Sequence, residues 1–527
     1  MAHDQDDPPR AAAPPRGHAP ARRALLGAAA AAAGAGFALL GRCTPHAARD
    51  IAGAARPGPP GLVLPAQPDL VAVENTRAGD AGWRPGGKTA GDAAGQIKGY
   101  AAEAGVQAGG RLRLKVSVDR DQPFTVEVFR LGHYGGTGGR LMLRADGVPG
   151  RRQEPARLDP ETGTVVCDWA DTWETEVPAD WPGGMYTAVL TNADGFRNHV
   201  PFAVTEPARA ADFLVVLPTT TYQAYNEYPV DGSTGRSLYY GQDPSTRKAS
   251  ARLKARVVSF DRPYAGTGLP QSFELDHAFV RWAEERGYDM VYATSLDLHA
   301  GRIDPFRYRA MVFPGHDEYW SAEMREVLET ALAGGVGAAF LTANNVYWHV
   351  RVLPSASGTP HRLVRCHKDA KAAADRDAPG PTVRWRDLRR PEQELLGIQY
   401  VSVIKGEHPL VVRGTDHWFW SGTGLRDGDA LPGLLWGEAD RRFPGSAAPR
   451  ATESVLLAES PYPDGKGRPE TQQSMLHRTA AGGWVFTAGT FRWPQALGDP
   501  RFAEPRIARA TANLFARFLD TRPSGHL

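Results

Sequence analysis

Cysteine is scarce in this chain, with three residues in 527. Three thiols cannot build a disulfide framework, and no Cys-x-x-Cys pair marks a zinc or iron–sulfur site. An excess of one charge is also missing. Lys and Arg number 61 against 59 Asp and Glu, a formal charge of +2, so no basic surplus points to nucleic acid. Downstream of Cys43 no apolar stretch is long enough to span a bilayer. Three local signatures are absent as well: the GxSxG elbow, HExxH and the EF-hand loop. Together these absences exclude a disulfide scaffold and a polytopic membrane protein, and the composition excludes collagen and coiled coil. What remains is 42% hydrophobic and 23% charged residues, enough for a substantial core, and a length that suggests two or three domains.

Residues 1–21 are rich in Pro, Ala, Arg and Asp without apolar periodicity. Arg22-Arg23 then precede an uncharged, mostly apolar run, Ala24 to Leu40, closed by Arg42. A positive segment before a short apolar one reads as an export signal, here of twin-arginine type. An uncleaved membrane anchor is the alternative, although the run is short and softened by Ala and Gly. Cys43 sits where a lipoprotein box would place it, but Arg42 stands where a small residue is wanted. Residues 1–43 are thus read as signal and leader, and residues 44–64, with Pro57 to Gly61, as a Pro/Gly-rich tether.

From residue 65 to 207 the apolar pattern has period two. Arg111–Val118 and Phe124–Leu131 alternate, and Met185–Leu190 and Val200–Val204 supply further strands, separated by Gly, Asn and Asp clusters. This predicts an antiparallel β-sandwich. The glycine-rich stretch Gly132–Gly139 follows a strand without opening a helix and reads as a wide turn rather than a phosphate cradle.

From residue 208 to 527 the pattern predicts an α/β domain with a mostly parallel sheet. Strands are expected at Phe213–Leu217, Arg256–Phe260, Met290–Tyr292, Arg309–Phe313, Val336–Leu341 and Trp484–Phe486. Helices are expected at Asp276–Arg286, after a Ser321 cap, and at the end, where Ile507, Ala510, Leu514, Phe515 and Phe518 share a face. Ligands in such sheets bind beyond the carboxyl ends of the strands. Polar and aromatic residues concentrate at Thr219–Tyr228, Asp261–Tyr264, His316–Trp320 and Thr342–Trp348. Cys167 and Cys366 read as buried thiols, with a single bridge between them left open.

His316-Asp317-Glu318-Tyr319-Trp320 places an imidazole, two carboxylates and a phenol at a strand-to-helix turn. It suits a metal ligand with an acid/base group. Equally, Asp317 or Glu318 could favour the helix N-terminus while the aromatics pack beneath. Asn344-Asn345 could donate to an oxyanion or form a turn. Tyr222, Tyr225 and Tyr228 read first as a packed aromatic loop. With no serine or cysteine nucleophile in a suitable elbow, the remaining chemistry is a hard metal ion held by tyrosinate and carboxylate oxygens.

Several blocks in order resemble the large (β) subunit family of N,N-dimethylformamidase. They are Val128–Arg140, Thr221–Asn226, Ser259–Tyr264, Gly315–Ser321, Asn344–Trp348 and Gly422–Leu425. The resemblance implies a glutamine amidotransferase-like sheet domain without that fold's cysteine. It also implies a hydrolase of linear, non-peptide amides with one Fe(III) per chain, bound by two tyrosines and a glutamate. On this resemblance Glu318 is the glutamate ligand, and Tyr225 and Tyr264 are the tyrosines, with Tyr222, Tyr239 and Tyr240 as rivals. His316 and Asn344 match polar active-site residues, and the catalytic glutamate is Glu438 or Glu459. A small-molecule amide is the expected substrate, and a further copy of the chain or a small second subunit the expected partner. A contrasting expectation is an exported, non-catalytic protein whose aromatic loops bind carbohydrate or cell wall.

Overall fold

The computed structural model describes residues 70–368 and 381–521. The expected signal, Cys43 and the tether lie outside the described residues. Strands dominate, arranged in several sheets with few helices among them.

The first part holds β1 (Ile97–Ala101), β2 (Arg111–Val118), β3 (Gln122–Leu131), β4 (Gly139–Gly150), β5 (Trp173–Glu176), β6 (Gly184–Asn192) and β7 (Phe196–Thr205). β1, β2 and β5 form one antiparallel sheet in the order β1-β2-β5, and β7, β6, β3 and β4 run antiparallel in that order in a second. Period two sets the burial. Leu112, Leu114 and Val116 of the first sheet and Val126, Val128, Ala188 and Val200 of the second meet in one core. Each leucine or valine among them contributes about 1.5–3 kcal/mol by leaving water. Gly132–Gly139 is the connection from β3 to β4. Its 3-10 turn at Tyr134–Gly136 puts Gly135 at φ 60° and Gly136 at φ 89°, which explains the glycines.

The second part is built on a seven-stranded sheet. Its strands are β8 (Phe213–Leu217), β9 (Met290–Thr294), β10 (Ala310–Phe313), β11 (Gly337–Phe340), β12 (Ala451–Pro463), β13 (Pro469–Thr479) and β14 (Trp484–Thr487). Four helices matter here: α1 (Thr219–Tyr225), α2 (Phe273–Glu285), α3 (Ala322–Ala333) and α4 (Pro505–Asp520). The order is β9-β8-β10-β11-β14-β13-β12, parallel from β9 through β14 and antiparallel beyond. All five residues of β8 are buried because both faces are covered. Leu214, Val216, Met311 and Phe313 pack with Met324, Leu328 and Ala331 of α3. Val215, Val312 and Phe486 face the other way, into a core shared with Phe279 of α2 and Leu514, Phe515 and Phe518 of α4.

The chain leaves β8 for β9 on one side and returns to β10 on the other, so the strand order reverses about β8. The carboxyl ends of β8 and β10 therefore stand side by side at the crevice such a reversal creates. Two features differ from the sequence reading. Strand Val257–Ser259 does not join this sheet; it pairs antiparallel with Leu363–Arg365 in a separate three-stranded sheet. Between β11 and β14 the chain makes short antiparallel ladders and the β12–β13 hairpin instead of further strand–helix units. Register shifts at Ala451/Glu453 and Leu456/Ala458 break the alternation that would have marked β12. Cys167 and Cys366 are both buried free thiols.

Candidate active site

α1 begins two residues after β8 and carries Tyr222 and Tyr225. The loop after β10 carries His316 and Glu318. Thr221 binds the two together: its hydroxyl oxygen accepts the N–H groups of Glu318 at 3.0 Å and Tyr319 at 3.2 Å. Thr220 donates to the Tyr319 carbonyl at 2.7 Å. The third segment, after β11, is fixed to the second. Thr342 donates to the Gly315 carbonyl at 2.9 Å, and the Tyr347 and Trp348 N–H groups both donate to the Glu318 carbonyl at 2.9 Å. Ser321 caps α3 by accepting from Met324. Glu318 is thereby left to point into the crevice rather than serve the helix end.

Three oxygen groups converge there. The Tyr225 hydroxyl donates to Glu318 Oε2 at 2.6 Å, and the Tyr239 hydroxyl lies 2.8 Å from Oε1 and 2.9 Å from Oε2. The two phenol oxygens are 2.9 Å apart. His316 Nε2 is 3.2 Å from both Tyr225 Oη and Glu318 Oε2, while its Nδ1 faces the Ala343 carbonyl at 3.3 Å. Glu318 is 1% exposed, His316 4% and Tyr239 7%. Burial pushes the Glu318 carboxyl up, yet the His316 hydrogen bond and charge, the Lys368 charge and the Tyr225 hydrogen bond outweigh it and hold the group below its ordinary value. Both phenols are driven well above theirs, by burial first and then by the Glu318 charge. They keep their protons and direct them at one carboxylate.

Further groups surround this cluster. The Lys368 ammonium lies 3.4 Å from the centre of the Tyr239 ring and 4.9 Å from that of Trp348. Phe491 packs 4.6 Å from the His316 ring and, with Leu275 and Ala343, forms an apolar wall. Asn344 has φ 55° and Val346 also φ 55°, an unusual conformation for a β-branched residue and a sign of strain in the segment after β11. Asn344 donates its N–H to Asp440 at 2.9 Å, and its side-chain oxygen is buried without a hydrogen-bond partner. Asn345 instead closes a turn onto Thr342.

Of the residues named from sequence, the structure brings together Tyr225, His316 and Glu318. Glu438, buried on strand Glu438–Arg441, adds its negative charge to the field at Tyr225. Glu459 lies on β12 and accepts from Gln473 at 2.9 Å. The expected tyrosine Tyr264 does not join the cluster. It turns to Tyr222, with ring centres 6.4 Å apart, and to the Gln223 side chain. The second phenol of the cluster is Tyr239, because the connection from α1 to α2 folds back and stacks its ring on that of Tyr225 at 4.6 Å. Tyr222 donates to Asp276 at 2.7 Å, and the Tyr240 N–H is taken by Ser237. Lys368, Phe491 and Asp276 carry no local motif and are placed only by the fold. Among the described residues, no set of three or more His, Cys, Asp and Glu is arranged to hold a metal. The cluster's own donors are two phenols and one carboxylate.

The N,N-dimethylformamidase beta subunit of Paracoccus aminophilus is 24% identical over 429 residues, covering 68% of this chain and 55% of that protein. The corresponding subunit from Alcaligenes sp. is 23% identical over 428 residues, with the same coverage of 68% and 55%. The chain thus spans about half the length of the curated relatives it matches. A Paenibacillus sp. cycloisomaltooligosaccharide glucanotransferase structure covers 60% of the chain at 8% identity with a TM-score of 0.16, too low to support any argument. The family described as N,N-dimethylformamidase beta subunit-like, C-terminal, matches residues 125–506. That match covers more than half of the sequence, and the chain belongs to this family.

Proposed function

We propose that the protein hydrolyses small linear amides at a mononuclear Fe(III) centre held by Tyr225, Tyr239 and Glu318. The observation that carries this reading is the convergence of two phenol oxygens and a carboxylate, each within 2.6–2.9 Å of the next, in a buried crevice. Hard anionic oxygens suit a hard trivalent ion, and the two shared phenol protons are what such an ion would displace. Tyr239 replaces Tyr264 in the ligand set inferred from sequence. Bound there, the iron supplies a Lewis acid that polarises an amide carbonyl or a water molecule.

The chain's own residues supply the rest. Glu438 takes the proton of the attacking water as general base. The departing amine takes the proton that Glu438 received, and His316, its Nδ1 turned to the Ala343 carbonyl, presents Nε2 to steady it. Asn344 offers its unpartnered side-chain amide to the substrate. Phe491 and its apolar neighbours exclude bulk water and favour small substituents. In this reading the two sheets of residues 65–207 form a β-sandwich accessory domain, and residues 208–527 a glutamine amidotransferase-like catalytic domain. Arg22-Arg23 and the following apolar run direct export. The relatives are named as subunits, which supports a small second subunit or a further copy of the chain as partner.

The test is amine release from a panel of formamides, N,N-dimethylformamide and acetamides by iron-loaded protein. Glu438→Gln lowers kcat by about 10²–10⁴-fold with iron content unchanged. Absence of turnover on every amide by fully loaded wild-type protein refutes the proposed reaction.

A further inference from the structure

A cavity lies apart from the cluster of Tyr225, Tyr239 and Glu318. A cleft of about 40 Å³ opens between β1, β6 and β7 of the first part and the carboxyl end of β8. Neither Tyr225, Tyr239, His316, Glu318 nor Glu438 lines it. That volume admits a ligand of a few heavy atoms.

Its walls are mainly apolar and aromatic, with Met185, Leu217, Phe260 and Phe273 among them, and the Tyr222 and Tyr264 rings meeting edge to face. Thr219, 6% exposed, borders it with a hydroxyl oxygen that is buried and has no hydrogen-bond partner. An unsatisfied buried hydroxyl on the wall of a cavity is a cost that a ligand would relieve. An apolar cavity with one or two polar groups, where two packed parts meet, is the usual form of a small-molecule site.

The charged residues of the wall restrict the ligand. Arg262 directs its guanidinium hydrogens at the carbonyls of Ser259, Arg236 and Asn226, and Arg362 directs its own at Asp261. All five Arg262 N–H groups are taken by carbonyls, the Arg362 charge is met by Asp261, and Glu103, also on the wall, is paired with Arg113. An ionic ligand therefore meets no vacant Arg262 donor and no unpaired carboxylate. We infer that this cleft is a binding site for a small, uncharged, largely apolar molecule with one hydrogen-bonding group, anchored by the Thr219 hydroxyl.

The test uses isobutanol, which is not an amide, with isobutyrate and isobutylammonium as charged molecules of similar shape. Binding to the full chain is followed by saturation-transfer NMR. The inference expects saturable isobutanol binding and at least tenfold weaker binding of both ions. Thr219→Val weakens isobutanol at least fivefold, Thr219→Ser restores it, and Met185→Trp, which fills the cleft, abolishes it. Thr219→Val is nearly isosteric and carries the test alone if Met185→Trp does not fold. No saturable binding, equal binding of the ions, or an affinity unchanged in Thr219→Val overturns the inference. None of these readouts depends on iron.

Discussion

Glu318 is the residue on which the site depends, because a carboxylate 1% exposed stays ionised only when hydrogen bonds and positive charge replace water. Tyr225, Tyr239 and His316 provide the hydrogen bonds, and Lys368 adds charge. Tyr239 and Tyr264, both open as ligands from sequence, differ in this respect: Tyr239 touches Glu318 and Tyr264 does not. Tyr239→Phe lowers iron retention after dialysis at least tenfold, whereas Tyr264→Phe leaves it unchanged; elemental analysis of both variants decides. His316 and Glu318 were legible because one short strand-to-helix turn holds them. Tyr239 stood only as one rival among several, because residues 226–272 form a long connection whose path depends on tertiary contacts. Elsewhere, His477 is 2% exposed with Nδ1 unpartnered, and burial lowers it from 6.5 to about 4. Between those values the unfolded chain binds a proton that the folded one refuses. The stability from this neutral group is full above its ordinary value and is lost as pH falls toward 4, by about 3 kcal/mol. His477→Gln removes that contribution to the pH slope, as urea denaturation across the window would show.

At the scale of elements, the site depends on α1 being locked to the loop after β10. Thr221 accepts two backbone N–H groups from that loop, and no other side chain does so from α1. Thr221→Val leaves both donors without their acceptor and costs about 1–3 kcal/mol. Weaker iron retention accompanies the loss, because Glu318 is no longer aimed. Ser321→Ala removes the cap of α3, costs about 1 kcal/mol, and lowers the thermal midpoint without changing iron content. The pair distinguishes a positioning contact from a purely structural one. The strands of the parallel sheet were legible from continuous apolar runs such as Phe213–Leu217. The β12–β13 hairpin was not, since its bulges shift the register and with it the period of two.

Across the whole molecule, the first part and the seven-stranded sheet are joined by polar groups as well as apolar ones. Arg130 of β3 and Glu284 of α2 form a wholly buried ion pair at 2.6 Å. Asn75 and Tyr292 satisfy the remaining carboxylate positions. Removing one partner strands the other charge, so Glu284→Gln destabilises by about 3–5 kcal/mol. Chemical denaturation followed by tryptophan fluorescence and by far-ultraviolet circular dichroism measures the effect. This bridge had no sequence signal, since its partners lie 154 residues apart. The most direct measurement of the central claim is iron content together with the visible spectrum of wild-type protein folded in the presence of iron. One iron per chain, with a tyrosinate-to-iron absorption band lost in Tyr239→Phe and Glu318→Gln, is the predicted result. A well-folded, colourless protein without iron under the same conditions contradicts it.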